Sequence, residues 1–397
     1  MRSEDHMSTQ RLVLAAFAAA AALSLVGCSS DSDNTSAASI DASSASAPSA
    51  EGSGSDRIAA AKAACDAAKE LPSATDLGTP IDVKPLAGKT VYSIPIDAEL
   101  EWSKVGEQAM QTVAEGAGLK FVTFPSDGSL ASVKLGFRQA IDANASAIVL
   151  NGPLPETLSS QLDEAAAAGI PVIPVHISDH SEPALPNLPY EAFAPFQDSA
   201  ELMAYCAIAD LDGKPLNALI IEASETGPSA GMVKAMQDII AATAPVGSTT
   251  TVIDSQVGDW STEVQPAVES ALLADPGINI VLPIFDSMAL FAAPGIQQAA
   301  PDRSIGIYSF NGTPAVMELI PEGVVRVDVA ENPHWVAHVN IDAVLRAMLK
   351  APPSIPGRNP IRVIDASNVA ETGNPPQFDQ GFGDEYPAAY QRLWGLG

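Results

Sequence analysis

From residue 89 onward the chain alternates short runs rich in Val and Ile with Ala-rich stretches whose apolar positions recur at helical spacing. That alternation is the mark of βαβ units around a parallel sheet. Strands are expected at 90–96, 120–124, 147–150 and 171–176 in a first half, and at 217–222, 250–254, 278–283, 304–309 and 324–330 in a second. Helices are expected between them, at 102–117, 129–143, 154–168, 198–210, 229–242, 264–274, 288–300 and 334–349. Gly118 and Gly169 fall where helix C-termini need a residue tolerant of positive φ. Two blocks of equal rank predict an α/β protein of two Rossmann-like, doubly wound lobes, with a cleft outside the carboxyl ends of the strands.

Upstream the pattern changes. An apolar run, Leu12 to Val26, follows a short segment carrying Arg2 and Arg11 and ends in Leu25-Val26-Gly27-Cys28. It is too short for a membrane span and has the form of a signal-peptide core. Leu25 to Cys28 resembles a bacterial lipobox, which implies export, cleavage after residue 27 and a lipid on the Cys28 thiol at the outer face of the cytoplasmic membrane. Met7 is an alternative start, since the segment from Met7 to Cys28 already forms a complete signal. Residues 28–55 are rich in Ser, Ala and Asp, with no aromatic and a single Ile40, and read as a disordered tether. Residues 56–70 then read as one helix and 71–88, with Pro72, Pro80 and Pro85, as an extended connection.

Composition narrows the function. The net charge is -28, from 48 acidic and 20 basic residues, and an acidic chain without a basic cluster is repelled by phosphate backbones, so nucleic acid is excluded as a partner. Hydrophobic content of 47% is that of a globular chain, and a body of about 310 residues favours two domains over one core. Of the three cysteines, Cys65 and Cys206 remain after Cys28. In an oxidising compartment they read equally as a disulfide stapling the N-terminal helix to the body or as two separate buried thiols.

Four local patterns, in this order and spacing, carry a family resemblance: Gly169-Ile170-Pro171-Val172-Ile173 after a helix, Asp259-Trp260 leading a helix, Asp286-Ser287-Met288-Ala289-Leu290 after a strand, and Phe310-Asn311-Gly312-Thr313-Pro314 after the next. Over roughly residues 88–370 the chain resembles the pentose/hexose-binding branch of the type I periplasmic binding proteins. The resemblance implies two lobes joined by a three-stranded hinge, closing over a small polar ligand and presenting it to the permease subunits of an ABC importer, with no cofactor, no metal and no catalysis. Lobe 1 would comprise 89–194 plus about 332–362, and lobe 2 would comprise 195–331 plus about 363–397. A sensor lipoprotein presenting its bound form to a membrane receptor is the alternative within binding proteins. Lactose-repressor type regulators share the lobes, but they carry a helix-turn-helix where this chain has a lipobox and an acidic tether.

Carried over residue by residue, the resemblance implies ligand contacts that depart from the usual pattern. Trp102 and Trp260 fit aromatic positions that stack on a sugar face, and Glu101 stands where a second aromatic is common. His176 and Ile177 replace an Asp-Arg pair, Met232 replaces an Arg with Lys234 nearby, Phe285 replaces an Asn, Asn311 an Asp and Glu331 a Gln. The hydroxyl-binding set is thinned, which favours a ligand with an apolar face, or a cationic one held by Glu331 between indoles.

Two other signals point elsewhere. Gly227-Pro228-Ser229-Ala230-Gly231 matches G-x-S-x-G, with Asp286 and His334 downstream in hydrolase order. A nucleophile elbow must join its strand directly, however, and 223–226 intervene, so Ser229 reads as the cap of the next helix. His176/His180 and His334/His338 have the i, i+4 spacing of zinc ligands, but only the second pair looks helical, with His334 exposed and His338 partly buried.

Overall fold

The structure is a computed structural model that describes residues 53–75, 77–183, 185–353 and 359–397. The signal segment, Cys28 and the tether up to residue 52 lie outside the described residues. Helix α1 (Gly54–Ala67) is capped by Ser53, whose side chain accepts from Asp56 N, so the helix takes in the last residues of the expected tether.

The first lobe is built from β1 (Thr90–Pro95), α2 (Glu101–Gly116), β2 (Lys120–Thr123), α3 (Leu130–Asp142), β3 (Ala147–Asn151), α4 (Ser159–Ala167), β4 (Val172–Asp179) and β5 (Ala192–Ala194). The second contains α5 (Phe196–Asp210), β6 (Asn217–Glu222), α6 (Ser229–Thr243), β7 (Thr249–Asp254), α7 (Trp260–Ala274), β8 (Ile280–Pro283), α8 (Ala289–Ala299), β9 (Gly306–Asn311), α9 (Pro314–Met317) and β10 (Val325–Glu331). Three elements complete the chain: α10 (Pro333–Leu349), β11 (Ile361–Asp365) and α11 (Tyr386–Leu393).

The first sheet is parallel throughout, in the order β2-β1-β3-β4-β5. The second runs β11-β10-β9-β8-β6-β7 and is parallel except for β11, which pairs antiparallel with β10. Covering helices bury both faces of the central strands. Every residue of β3 and of β9 is buried, which is why these segments read as near-continuous apolar runs. Strand order reverses at β1/β3 in one lobe and at β6/β8 in the other, and such switch points open a crevice at the carboxyl ends of the strands. Gly118 and Gly169 follow the C-caps of α2 and α4 with φ of 85° and 71°, as their place in the sequence required.

The chain passes between lobes at Pro195, at Asn332 and between α10 and β11. Asn332 caps α10 through Oδ1, which accepts from His334 N and Trp335 N at 2.9 and 3.1 Å. Helix α10 packs on α2 in the first lobe. The assignment of 363–397 to the second lobe needs correction. Strand β11 joins the second sheet, but α11 packs on α10, and Ile81 N and Val83 N donate to Leu393 O and Trp394 O, so the C-terminal tail returns to the first lobe. Trp394 Nε1 anchors it by donating to the buried Asp342 at 2.8 Å.

The N-terminal helix belongs to the opposite side. Helix α1 lies along α5, and Cys65 is joined to Cys206 of α5 in a disulfide with Cα atoms 5.2 Å apart. The Lys69 carbonyl accepts from buried Arg362, and Val363 N donates to Ala68 O. From Lys69 the chain crosses to the first lobe, where Thr79 O accepts from Arg346 of α10.

Candidate functional site

The residues expected at the ligand site sit where strands end. Glu101 and Trp102 open α2 after β1, and His176 lies within β4. Trp260 opens α7 after β7, Phe285 follows β8, and Asn311 ends β9. The expected strand ended at His176, but β4 continues to Asp179 through a register shift between Val175 and Asp179, with His176 at φ 55°. This bulge re-aims the imidazole into the crevice, as bulges beside sites do.

These six side chains line one cavity of about 130 Å³ between the lobes. It is small beside the usual range for drug-sized ligands and of the scale of a single sugar ring. On the first-lobe side, the Trp102 and His176 rings lie 4.5 Å apart, tilted by 33°, and Phe196 from the second lobe meets His176 edge-on at 4.8 Å. On the other side Trp260 and Phe285 are 6.1 Å apart. The indole nitrogens differ in their use. Trp260 Nε1 donates to Ser255 O at 3.1 Å, whereas Trp102 Nε1 is buried without a partner among the described residues. Trp260 is only 8% exposed and belongs to the core as much as to the cavity wall.

Glu331 is not on the wall. Its side chain is fully buried behind His176, with Oε2 accepting from His176 Nε2 at 2.7 Å and Oε1 without a partner among the described residues. Met232 does not reach the site either. It is completely buried on the inner face of α6, packed into the core, so the arginine position implied by the resemblance is not reproduced there. Lys234 is exposed and paired with Asp238 one helical turn on. No Lys or Arg lines the cavity among the described residues.

Sequence reasoning missed the polar layer beneath the wall. Asn151, at the end of β3, lines the cavity while its Nδ2 donates to Glu107 Oε1 at 3.0 Å. Glu107 is a buried carboxylate on α2 that also accepts from Ser93 and Thr123, and burial pushes its pKa up. Beneath Asn311 lies a second layer. Asp286 accepts from Thr313 N at 2.6 Å and Thr313 Oγ1 at 2.8 Å, and Asp328 accepts from Gly312 N at 3.2 Å and Ser309 Oγ at 3.3 Å. Both carboxyls are fully buried and hydrogen-bonded to each other. Desolvation raises Asp286 to about 6, and Asp328 goes well above the carboxylate range through desolvation and the adjacent Asp286. Burial thus favours the protonated form of the pair, whose carboxyls accept from the backbone of Gly312 and Thr313 beneath the site. An Asn ending an apolar strand run was the one readable sign of Asn151; Glu107 looks in sequence like any solvent-facing helix residue.

The hydrolase reading loses its geometry. Ser229 is 1% exposed and donates to Glu222 Oε2, Asp286 is engaged by Thr313, and the His334 carbonyl accepts from His338 Nδ1. Of the zinc-spaced histidines, His338 is caged by Tyr386, Tyr390 and Trp394, with ring centroids at 5.3, 5.2 and 5.9 Å.

A family described as periplasmic binding protein domain matches residues 91–351. No curated protein matches the sequence. Among solved structures, the chain is similar to the periplasmic binding protein component of the arabinose ABC transporter from Shewanella sp. ANA-3, with 18% identity, a TM-score of 0.61, and 78% of this chain and 98% of that one covered. It is also similar to the 5-methylthioribose transporter solute binding protein from Thermotoga lettingae TMO, at 16% identity and TM-score 0.62 over 81% of this chain and all of that one (100%). A third is the substrate-binding protein of a sugar ABC transport system from Bordetella parapertussis, at 14% identity and TM-score 0.64 over 77% and 96% of the two chains. At these identities the likeness establishes the fold, and the family match spans most of both lobes. The chain belongs to the periplasmic binding protein domain family and has the two-lobed fold of its type I members.

Proposed function

We propose that this protein is an exported, lipid-anchored substrate-binding protein that closes its lobes over a small uncharged carbohydrate-like ligand and presents it to an ABC importer. The observation that carries this reading is the cavity at the carboxyl ends of both sheets, walled by rings from each lobe and free of cationic side chains among the described residues. Aromatic faces suit the C–H faces of a sugar ring, and the solved relatives named above include complexes with arabinofuranose and 5-methylthioribose. A cationic ligand is disfavoured, because Glu331 is engaged by His176 and screened from the cavity, leaving the exposed Glu101 as the carboxylate on the wall. Affinity arises from desolvation and hydrogen bonding on closure, with no covalent step. The membrane attachment rests on Leu25 to Cys28 alone, and Cys28→Ser should move the protein out of the membrane fraction.

The test is a thermal-shift screen over pentoses, hexoses, polyols, nucleosides and quaternary amines, followed by titration calorimetry. A ligand at 100 times its dissociation constant stabilises the fold by about 2.7 kcal/mol. A sugar or polyol that stabilises the native chain and loses affinity with Asn151→Ala supports the reading. Stabilisation by quaternary amines alone, or sugar binding indifferent to Asn151→Ala and Trp102→Ala together, overturns it.

A further inference from the structure

We infer that the ligand carries a hydrocarbon group where common sugars carry a hydroxyl, that is, a deoxy sugar or an O-alkyl glycoside; this inference rests on the carbohydrate reading above. It follows from counting which polar atoms on the wall remain free. In the second lobe, Thr226 Oγ1 already donates to Ala223 O at 2.8 Å and the single N–H of Trp260 is committed to Ser255 O. Beside them Val257, Trp260 and Phe285 form an apolar stretch of wall, relieved by Asn311 and by Ser287, whose hydroxyl donates to Asp286 Oδ1 at 3.5 Å. In the first lobe, Asn151 has given one of its two amide hydrogens to Glu107 and His176 has given Nε2 to Glu331. What remains there to meet hydroxyls is Asn151 Oδ1 and its second amide hydrogen, His176 Nδ1, the orphaned Trp102 Nε1 and the side chains of Glu101 and Ser103, set among Ile96 and Leu100.

The hydrogen-bonding capacity is therefore concentrated on the first-lobe side. A hydroxyl turned toward Val257, Trp260 and Phe285 loses its water and gains no partner, whereas a methyl group there gains contact with two rings. A buried hydroxyl left without a partner weakens binding by roughly ten- to a hundredfold. The ligand edge that closes against the second lobe should accordingly be the one lacking hydroxyls.

The experiment titrates the mature chain calorimetrically with matched pairs that differ by one hydroxyl or one methyl: L-fucose against L-galactose, L-rhamnose against L-mannose, and methyl β-D-ribofuranoside against D-ribose. In at least one pair the deoxy or methylated member should bind tenfold or more tightly. Phe285→Asn, which sets an amide in the half-buried apolar wall, should shrink or reverse that ratio, and Val257→Thr should do so to a smaller degree without a change of volume. The inference is overturned if, in every pair that binds, the fully hydroxylated member binds equally well or better, or if both substitutions leave the ratio unchanged. Should no member of any pair bind while a non-carbohydrate ligand does, the carbohydrate reading itself falls, an outcome separate from the failure of the hydrocarbon preference.

Discussion

His176 Nε2 donates to Glu331 Oε2 at 2.7 Å, joining β4 of the first lobe to the last residue of β10 in the second. The carboxylate is an acceptor only, so the imidazole must supply the proton, and the remaining nitrogen Nδ1 is left for the cavity. Both residues depart from the pattern of the resembled sugar binders, and each makes sense of the other. A carboxylate buried in place of an amide needs a donor, and the bulge in β4 delivers one. The pair thus converts two anomalies into one unit that fixes the orientation of the ring beside Trp102.

Removing one partner should cost far more than removing both. His176→Phe leaves the Glu331 carboxylate buried and unpaired, a loss of about 3–5 kcal/mol, whereas His176→Phe combined with Glu331→Gln should recover most of it. Urea unfolding of the two single variants and the double variant measures the coupling. Equal destabilisation by His176→Phe with and without the Glu331 change would show that the pair is not coupled.

The two tryptophans should separate binding from stability. Trp102→Phe keeps a six-membered ring on the wall and deletes the unpartnered N–H together with the five-membered ring of the indole, so the melting temperature should hold while affinity for a bound sugar falls by about 1–2 kcal/mol. Trp260→Ala opens a hole in a side chain that is 8% exposed and packed on Phe285, and should cost roughly 3–5 kcal/mol of stability. Calorimetric titration and thermal melts on both variants decide this.

With Cys65 and Cys206 bridged across 141 positions of sequence, thiol titration of the denatured, unreduced protein should find neither cysteine free. Replacing both by Ser should lower stability by about 2–4 kcal/mol, read by denaturant unfolding under non-reducing conditions. The same measurement in excess dithiol should bring the native chain to the level of the variant.

The Asp286–Asp328 pair gives stability a pH dependence of definite sign. Because both folded carboxyls titrate above their unfolded values, the native state binds the extra proton, and the stability it confers is present at low pH. That stability is lost as pH rises from the ordinary carboxylate range through about 6, where Asp286 titrates. Buried His338, lowered to about 4, works in the opposite direction, since its unfolded form gains a proton between about 6.5 and 4. Asp328→Asn retains a donor toward Asp286 without the second charge, so the difference in unfolding free energy between variant and native chain should grow in the variant's favour from pH 4 to 7. A pH-independent difference would show that the carboxyls do not share a proton.

Much of this architecture was legible because burial on both faces forces apolar runs. The run at 217–222 became β6 with its bounds unchanged, and the other expected strands shifted by a few residues at most. Trp102, Trp260, Phe285 and Asn311 converge for the same topological reason, since each stands at or just beyond a strand end. What stayed hidden depends on side chains whose surroundings are distant in sequence. Arg362 disguised β11, because a buried guanidinium satisfied by Lys69 O, Gly381 O and Glu371 looks like an exposed charge. The left-handed turn at His176 has no local signature, as histidine rarely adopts it. Only correspondence with the family pattern points to Met232 and Glu331, and the packing of α6 and the donor at His176 set both apart from the wall.

The staple between α1 and α5 decides where an external load enters the molecule. A pull on the chain ahead of residue 53 passes along α1 into the Cys65–Cys206 bond, and from there into α5 of the second lobe. The segment leaving Lys69 for the first lobe lies downstream of that covalent stop and carries no tension. Rotation about Pro195, Asn332 and the link to β11 would therefore be mechanically isolated from a load on the N-terminal end: with that end held, the second lobe would be the moored one and the first the free arm.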